Sequence, residues 1–149
     1  MAQTRIHHFK DFSIKRSGIE IELDMSTTEE NFNRAQFELD SSIMTSMEKF
    51  MPMDSSSLIN RTKAESAALA GSGKVIAAVG PYGRFLYMGK VMVGERSKSA
   101  WAKKGEKKVT TGNRLKFERA GARPKWFEYA KSQYGNMWVR VAKAAAGGK

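Results

Sequence analysis

The 149-residue sequence has no cysteine, two histidines and three prolines. Without cysteine there are no disulfide scaffolds, thiol nucleophiles or cysteine-rich zinc sites, which fits a reducing compartment. His7 and His8 are adjacent, and neighbouring side chains of an extended segment point to opposite faces, so they are read as a surface pair and not as one metal site. The longest purely aliphatic run, Val75 to Val79, is far below the ~18 residues of a membrane span. Met1 to Arg5 carry no apolar segment of signal-peptide type, so a soluble intracellular product, or one released by lysis, is expected.

Signatures of catalysis are missing too. A serine hydrolase would need one of the two histidines as its base, and no Gly-x-Ser-x-Gly turn occurs. Gly71-Ser72-Gly73-Lys74 looks like the end of a phosphate-binding loop, but Ala68 stands at the opening glycine position and Val75 follows where Ser or Thr is required. Carboxylates are few after residue 50, and no pair stands out as acid and base. The expectation is a protein that is not an enzyme, with no cofactor and no metal.

Charge is what the chain has in quantity. Its 26 Lys+Arg against 15 Asp+Glu give a formal net charge of +11. Residues 1 to 50 hold 6 bases and 9 acids, so the remainder holds 20 against 6 and all of the basicity. The densest stretch, Gly94 to Arg123, has Arg96, Lys98, Lys103, Lys104, Lys107, Lys108, Arg114, Lys116, Arg119 and Arg123 against Glu95, Glu106 and Glu118. Such a stretch attracts phosphate backbones or an acidic protein surface, or is simply a solvated loop. Trp101, Phe117 and Trp126 interleave with it, as in a nucleic-acid groove, but no RNA-binding aromatic motif, zinc finger or helix-turn-helix signature accompanies them.

The length points to one domain spanning 1–149. Phe12 and Ile14, then Ile19, Ile21 and Leu23, alternate on either side of Ser17-Gly18 and predict a β-hairpin with one apolar face, an N-terminal arm over 1–25. Two overlapping capping boxes, Ser26 with Glu29 and Thr27 with Glu30, predict the start of a helix over 28–50. Its stripe is Phe32, Ala35, Leu39, Ile43, Met47 and Phe50, and Pro52 ends it. Asp54 is a candidate Asx turn or cap. A short helix is expected over Ala64 to Ala70, a strand over Lys74 to Val79, and a turn at Gly80-Pro81-Tyr82-Gly83.

Arg84 to Val93 reads as a strand apolar on both faces, with Phe85, Tyr87, Val91 and Val93 on one side and Leu86, Met88 and Met92 on the other; only Lys90 interrupts it. Such a strand must be covered twice, once by another element or another subunit. Residues 94–123 form a long basic loop with a turn at Thr110 to Asn113 and a short strand over Arg114 to Phe117, a length more often functional or partner-ordered than idle. Pro124 suits the first position of a last helix over 124–146, with Phe127, Ala130, Tyr134, Met137 or Trp138, and Val141 on one side and Gly147-Gly148 as its stop.

Two motifs carry a resemblance. They are Phe50-Met51-Pro52-Met53-Asp54-Ser55-Ser56-Ser57-Leu58 and Val79-Gly80-Pro81-Tyr82-Gly83-Arg84-Phe85-Leu86-Tyr87-Met88-Gly89-Lys90-Val91. In order and spacing the chain resembles the minor capsid proteins of tailed bacteriophages with long non-contractile tails, relatives of head–tail joining and tail-completion proteins. That pattern is a helix ending in Val-Pro-x-Asp-Thr-Gly-x-Leu, a strand, then Pro-Tyr-Ala-Arg-x-x-Tyr-x-Gly. Trp101 to Gly105 and Trp126 to Lys131 are also similar to it, so the likeness covers about residues 28 to 142. Ser55-Ser56 replace the usual Thr-Gly, and Gly83 the usual Ala.

The resemblance implies a structural virion protein of the phage neck, located at the head–tail junction after assembly in the host cytoplasm. It implies a homo-oligomeric ring joining the DNA-filled head to the tail, with other neck and tail proteins as partners; transient, non-specific contact with genomic DNA is an expectation the basic charge adds. The residues add their own reasons: a two-sided apolar strand, opposite charges on the two halves, and nine methionines, soft side chains suited to repacking surfaces. The fold expected is α+β, a mainly antiparallel sheet packed on helices 28–50 and 124–146. Interface candidates are Phe85, Tyr87, Met88, Lys90, Met92, Trp101, Lys103, Lys104, Lys107 and Lys108, and the structural motif is Pro52, Asp54, Leu58, Pro81, Tyr82, Arg84, Gly89 and Trp126. The alternative function is non-specific DNA binding.

Overall fold

A computed structural model describes residues 5–53 and 57–148, Pro81 by its backbone alone. Asp54, with its expected turn, lies outside the described residues. The fold is α+β: β1 (Phe12–Arg16), β2 (Ile19–Leu23), α1 (Ser26–Glu48), α2 (Ser57–Leu69), α3 (Gly80–Met88), β3 (Lys90–Gly94), β4 (Lys108–Arg114) and α4 (Trp126–Ala145). The strands are antiparallel and form two separate two-stranded sheets, β1-β2 and β3-β4.

Helices α1 and α4 make the core. Ala35, Met44 and Met47 of α1 are buried, and Leu39 and Ile43 complete the stripe as half-buried neighbours. Opposite them Trp126, Ala130 and Trp138 of α4 are buried, with Met51 and Ile59 closing the end. Trp138 therefore, and not Met137, faces inward; Met137 is exposed. Both buried indoles satisfy their N–H: Trp138 Nε1 donates to Ser46 Oγ at 3.0 Å and Trp126 Nε1 to the Ala77 carbonyl at 2.7 Å. Several methionines thus fill the core, whereas Met53, Met88 and Met137 are exposed. Phe32 leaves the stripe, half exposed, with the edges of Phe9 and His7 against it.

The hairpin turns at Ser17 and Gly18, both at positive φ (52° and 80°), as a two-residue type I′ turn requires. Neither expected capping box forms. Ser26 and Thr27 are already helical, and Met25 is the N-cap without a side-chain bond. The hairpin base supplies the acceptors: Asp24 takes the Ser26 N–H at 2.8 Å and Asp11 the Met25 N–H at 2.6 Å. Ser26, through its hydroxyl and then its N–H, holds the Asp24 carboxyl below the usual carboxylate range.

The middle of the chain differs most from expectation. Lys74 to Val79 is not a strand; it has no ladder partner, and side chains satisfy its backbone instead. Ser66 Oγ accepts from Ile76 N at 3.1 Å and donates to Ile76 O at 3.2 Å, while Trp126 binds Ala77. Nor is Arg84 to Val93 one strand. Gly80 to Met88 is helix α3, with extended Val79 ahead of it and Pro81 in its first turn, so the expected turn at 80–83 is the helix start. A short apolar run fits either period, and the flanking Gly-Pro and Gly89 decide for helix.

Gly89 ends α3 in the left-handed region at φ 65°, its N–H bonded to Leu86 O at 3.0 Å. A Cβ there would meet Pro124 Cβ at 2.6 Å, so the site needs glycine twice over. Strand β3 follows and pairs with β4 through an irregularity between Lys90 and Met92. Strand β4 therefore occupies the expected turn at 110–113, and of the expected strand 114–117 only Arg114 belongs to it, opposite Lys90, with Leu115 N bonded to Gly89 O at 2.9 Å just beyond. Pro124 stands outside α4, whose N-cap is Lys125. The helix ends as expected at Gly147-Gly148: Gly147 N binds Ala144 O at 3.1 Å and Gly148 N binds Lys143 O at 2.8 Å, the paired bonds of a Schellman motif.

Candidate functional site

The segment joining β3 to β4 projects as an arm, and Glu106 organises it. Its carboxylate accepts from the N–H of Ser97 at 2.6 Å and Arg96 at 2.8 Å through one oxygen, and from Lys103 N at 2.9 Å through the other. Those bonds, the Ser97 and Lys103 N–H groups foremost, hold the Glu106 carboxyl down to a pKa of about 2. Gly94 makes room for it, since a Cβ at that position would lie 2.6 Å from Glu106 Oε1. Backbone bonds Gly94 N to Ser99 O (2.8 Å) and Glu95 N to Lys107 O (2.9 Å) close the base. The long basic loop is thus a strand plus a built turn, and among its three acids Glu106, flanked by lysines, was the signal that sequence reading passed over.

Trp101 stands on this arm 87% exposed, its backbone N–H bonded to Ser99 Oγ. Lys103, Lys104 and Lys107 of the same segment are exposed too. Ion pairs among the described residues are His8–Glu29, Lys15–Glu20 and Lys63–Glu48, so none engages these lysines. Lys108 differs: its ammonium donates to Ala100 O at 2.8 Å and lies 4.8 Å from the Tyr82 ring centroid, tying the arm to α3. Of the remaining bases of the stretch, Arg96, Lys98, Arg114 and Lys116 are exposed, and Arg119 and Arg123 are half-buried. Arg119 donates to Glu48 O at 2.9 Å and Met51 O at 3.1 Å, satisfying the end of α1, and Arg123 stacks 3.7 Å from the Tyr129 centroid. These two arginines hold the fold together rather than face a partner.

Comparison with family models, with curated proteins and with solved structures finds no match for this chain. Function is therefore argued from the residues and their geometry.

Of the other interface candidates, Phe85 is buried in the monomer, and Tyr87 packs edge-on to Trp126 at 4.8 Å and donates to Glu128. Burial first, then Glu128, raises the Tyr87 phenol above its ordinary range. Those two face inward, a correction that follows from α3 being helical. Met88 is exposed, and Lys90 and Met92 are half-buried on β3. The motif residues are likewise architectural: Leu58 packs against the core, Gly89 ends α3, Trp126 is buried, Pro52 follows α1, and Pro81 lies in the first turn of α3. Arg84 and Tyr82 are exposed, Arg84 over the Phe85 ring. At Gly83 an added Cβ would press on Ala78 Cβ at 3.0 Å, so a glycine suits this close approach.

The phosphate-loop look-alike is occupied from within. Buried Asp40 accepts from Gly71 N at 2.8 Å and Gly73 N at 3.0 Å, and its second oxygen from Gln36 Nε2 at 2.8 Å. The histidines part company along α1, His7 toward Gln36 and His8 toward Glu29. Among the described residues no group of three or more His, Asp or Glu is placed to hold a metal.

Proposed function

We propose that this chain is an assembly protein, a subunit of a homo-oligomeric ring in the neck of a tailed phage that joins the filled head to the tail. In this reading the β3–β4 arm reaches an adjoining subunit or another neck protein. The observation that carries it is Trp101, almost fully exposed on an arm whose backbone is fixed around Glu106. An indole held in water on a pre-formed turn suits an anchor entering a partner's pocket, because little ordering entropy remains to be lost on docking. The order of the Pro-Tyr and Trp motifs, similar to the minor capsid family, supports the location. Electron cryo-microscopy of virions is expected to place the protein between portal and tail tube; finding it in the capsid shell or at the tail tip overturns the reading.

Non-specific DNA binding is the second reading, favoured by the solvent-facing Lys103, Lys104 and Lys107 beside a stacking-competent Trp101. The two separate by salt. Three lysines neutralising three phosphates would make duplex affinity fall about fortyfold between 50 and 200 mM salt. A neck ring that lets DNA slide avoids such contacts, so weak duplex binding without sequence preference is expected.

A further inference from the structure

The β3–β4 arm carries an open cleft of 740 Å³, and Trp101 is not among the residues that line it. Its walls come from residues 95–97 and 103–107, and they bring four bases together: Arg96, Lys103, Lys104 and Lys107. All four are exposed, and no ion pair among the described residues engages them. Against them stand two lining acids, Glu95 and Glu106. Glu106 is bound to the backbone of both walls, to Arg96 N and Ser97 N on one side and to Lys103 N on the other. With Glu95 N bonded to Lys107 O at 2.9 Å across the base, the four bases rise from a fixed backbone and a positive excess remains.

Because the N–H groups of residues 96, 97 and 103 are committed to Glu106, recognition falls to one guanidinium and three ammonium groups. Such a set favours the anion of densest charge. A nucleic-acid strand carries one charge per about 3.4 Å, whereas same-face carboxylates of an extended acidic segment stand about 6.6 Å apart. Linked phosphates therefore bring more charge into the same space than an acidic protein segment does, and lysine meets a phosphate as a point charge that demands no fixed geometry.

We propose that the 95–107 cleft binds linked phosphate groups, the chemistry that a free polyphosphate and a nucleic-acid strand share. The inference stands apart from the ring reading, which is judged by the protein's place in the virion. It goes beyond the DNA reading by adding Arg96 to the three lysines, leaving Trp101 out and giving the contact a defined place.

Amide shifts of the full chain are followed by NMR as sodium tripolyphosphate is added at about 0.15 M salt, where charges more than about 8 Å away are largely screened. Saturable shifts are expected at residues 95–97 and 103–107. Arg96→Ala with Lys104→Ala should weaken binding at least about tenfold. Arg114→Ala with Lys116→Ala removes the same charge from a distant place, since Arg114 pairs with Lys90, about 13 Å of strand from the Gly94–Lys108 end. That pair of changes should weaken binding less than about twofold. All four positions are exposed, so the thermal midpoint should hold in both variants. Glu106→Gln raises the net charge by one, so bare attraction would tighten binding, whereas loss of the tie between the walls weakens it; the weaker complex is expected. No saturable shift, equal losses from the two double variants, tighter binding by Glu106→Gln, or equal affinity for a poly-glutamate peptide overturns the proposal. Single-stranded DNA that moves the same amides and is displaced by tripolyphosphate identifies a nucleic-acid strand as the source. DNA that leaves those amides unmoved while tripolyphosphate binds identifies a free polyphosphate.

Discussion

Asp40 and Glu106 are carboxylates without a cationic partner among the described ion pairs, and each gathers backbone N–H groups from a glycine-containing loop. Asp40 is the buried one. Asp40→Ala leaves the Gly71 and Gly73 N–H groups without their acceptor and should lower stability by about 3 kcal/mol in denaturant unfolding. Asp40→Asn keeps one acceptor oxygen and should lose less. Glu106 acts at the surface, and its prediction concerns pH. Its folded pKa, about 2, lies below the ordinary 4.5, so its contribution is present in full above pH 4.5 and is lost as pH falls toward 2. Amide protection at Arg96, Ser97 and Lys103 should fall across that window in the wild type and be low throughout in Glu106→Gln. Unchanged wild-type protection from pH 5 to pH 2 would refute the role assigned to this carboxylate.

At the scale of elements, Gly89 is where a small change should cost most. Gly89→Ala adds a strained positive φ to a collision with Pro124, and about 2–4 kcal/mol of stability should be lost, read as a lower thermal midpoint. The same position shows why part of the fold was hard to read. Hairpin, α1 and α4 were legible because each has a long unambiguous period and turn residues at its ends. The run from Phe85 to Val93 satisfies a two-residue period nearly as well as a helical one, and only the flanking Gly80-Pro81 and Gly89, the latter pressed close to Pro124, break the tie. Residues 74–79 deceived for a related reason: their composition suits a strand, but Ser66 and Trp126 take the hydrogen bonds a neighbour would have made. The site was half legible. Trp101 and its lysines were visible in composition, whereas the inward facing of Phe85 and Tyr87, and the capping work of Arg119, required the tertiary contacts.

For the whole molecule, the charge asymmetry remains after the fold has used what it needs. Arg119 and Arg123 are committed to the fold and Lys108 to the arm; of the seven exposed bases that remain in the stretch, Lys103, Lys104 and Lys107, beside Glu106 in sequence, make the sharpest test of function. On the proposed neck reading, reversing those three to Glu should abolish head–tail joining in a complementation assay. The thermal midpoint should stay close to that of the wild type, since exposed charges contribute little to stability. Normal joining by the triple reversal, together with tight and salt-steep duplex binding by the wild type, would favour the DNA reading. At the opposite end of the stability scale, Trp126→Ala empties the core and should cost about 3–5 kcal/mol.

The three indoles also give the protein an optical label of its own. Trp126 and Trp138 are dry and hydrogen-bonded, whereas Trp101 alone faces water. In the free subunit a soluble quencher such as acrylamide should reach one emitter of the three, and the red edge of the fluorescence spectrum should belong to it. Docking of the arm would blue-shift and shield that one component while the other two stay constant. A Trp101→Phe chain should lack the quenchable component from the start. Assembly could then be followed in real time with no dye attached, and the signal would come from the side chain assigned to make the contact.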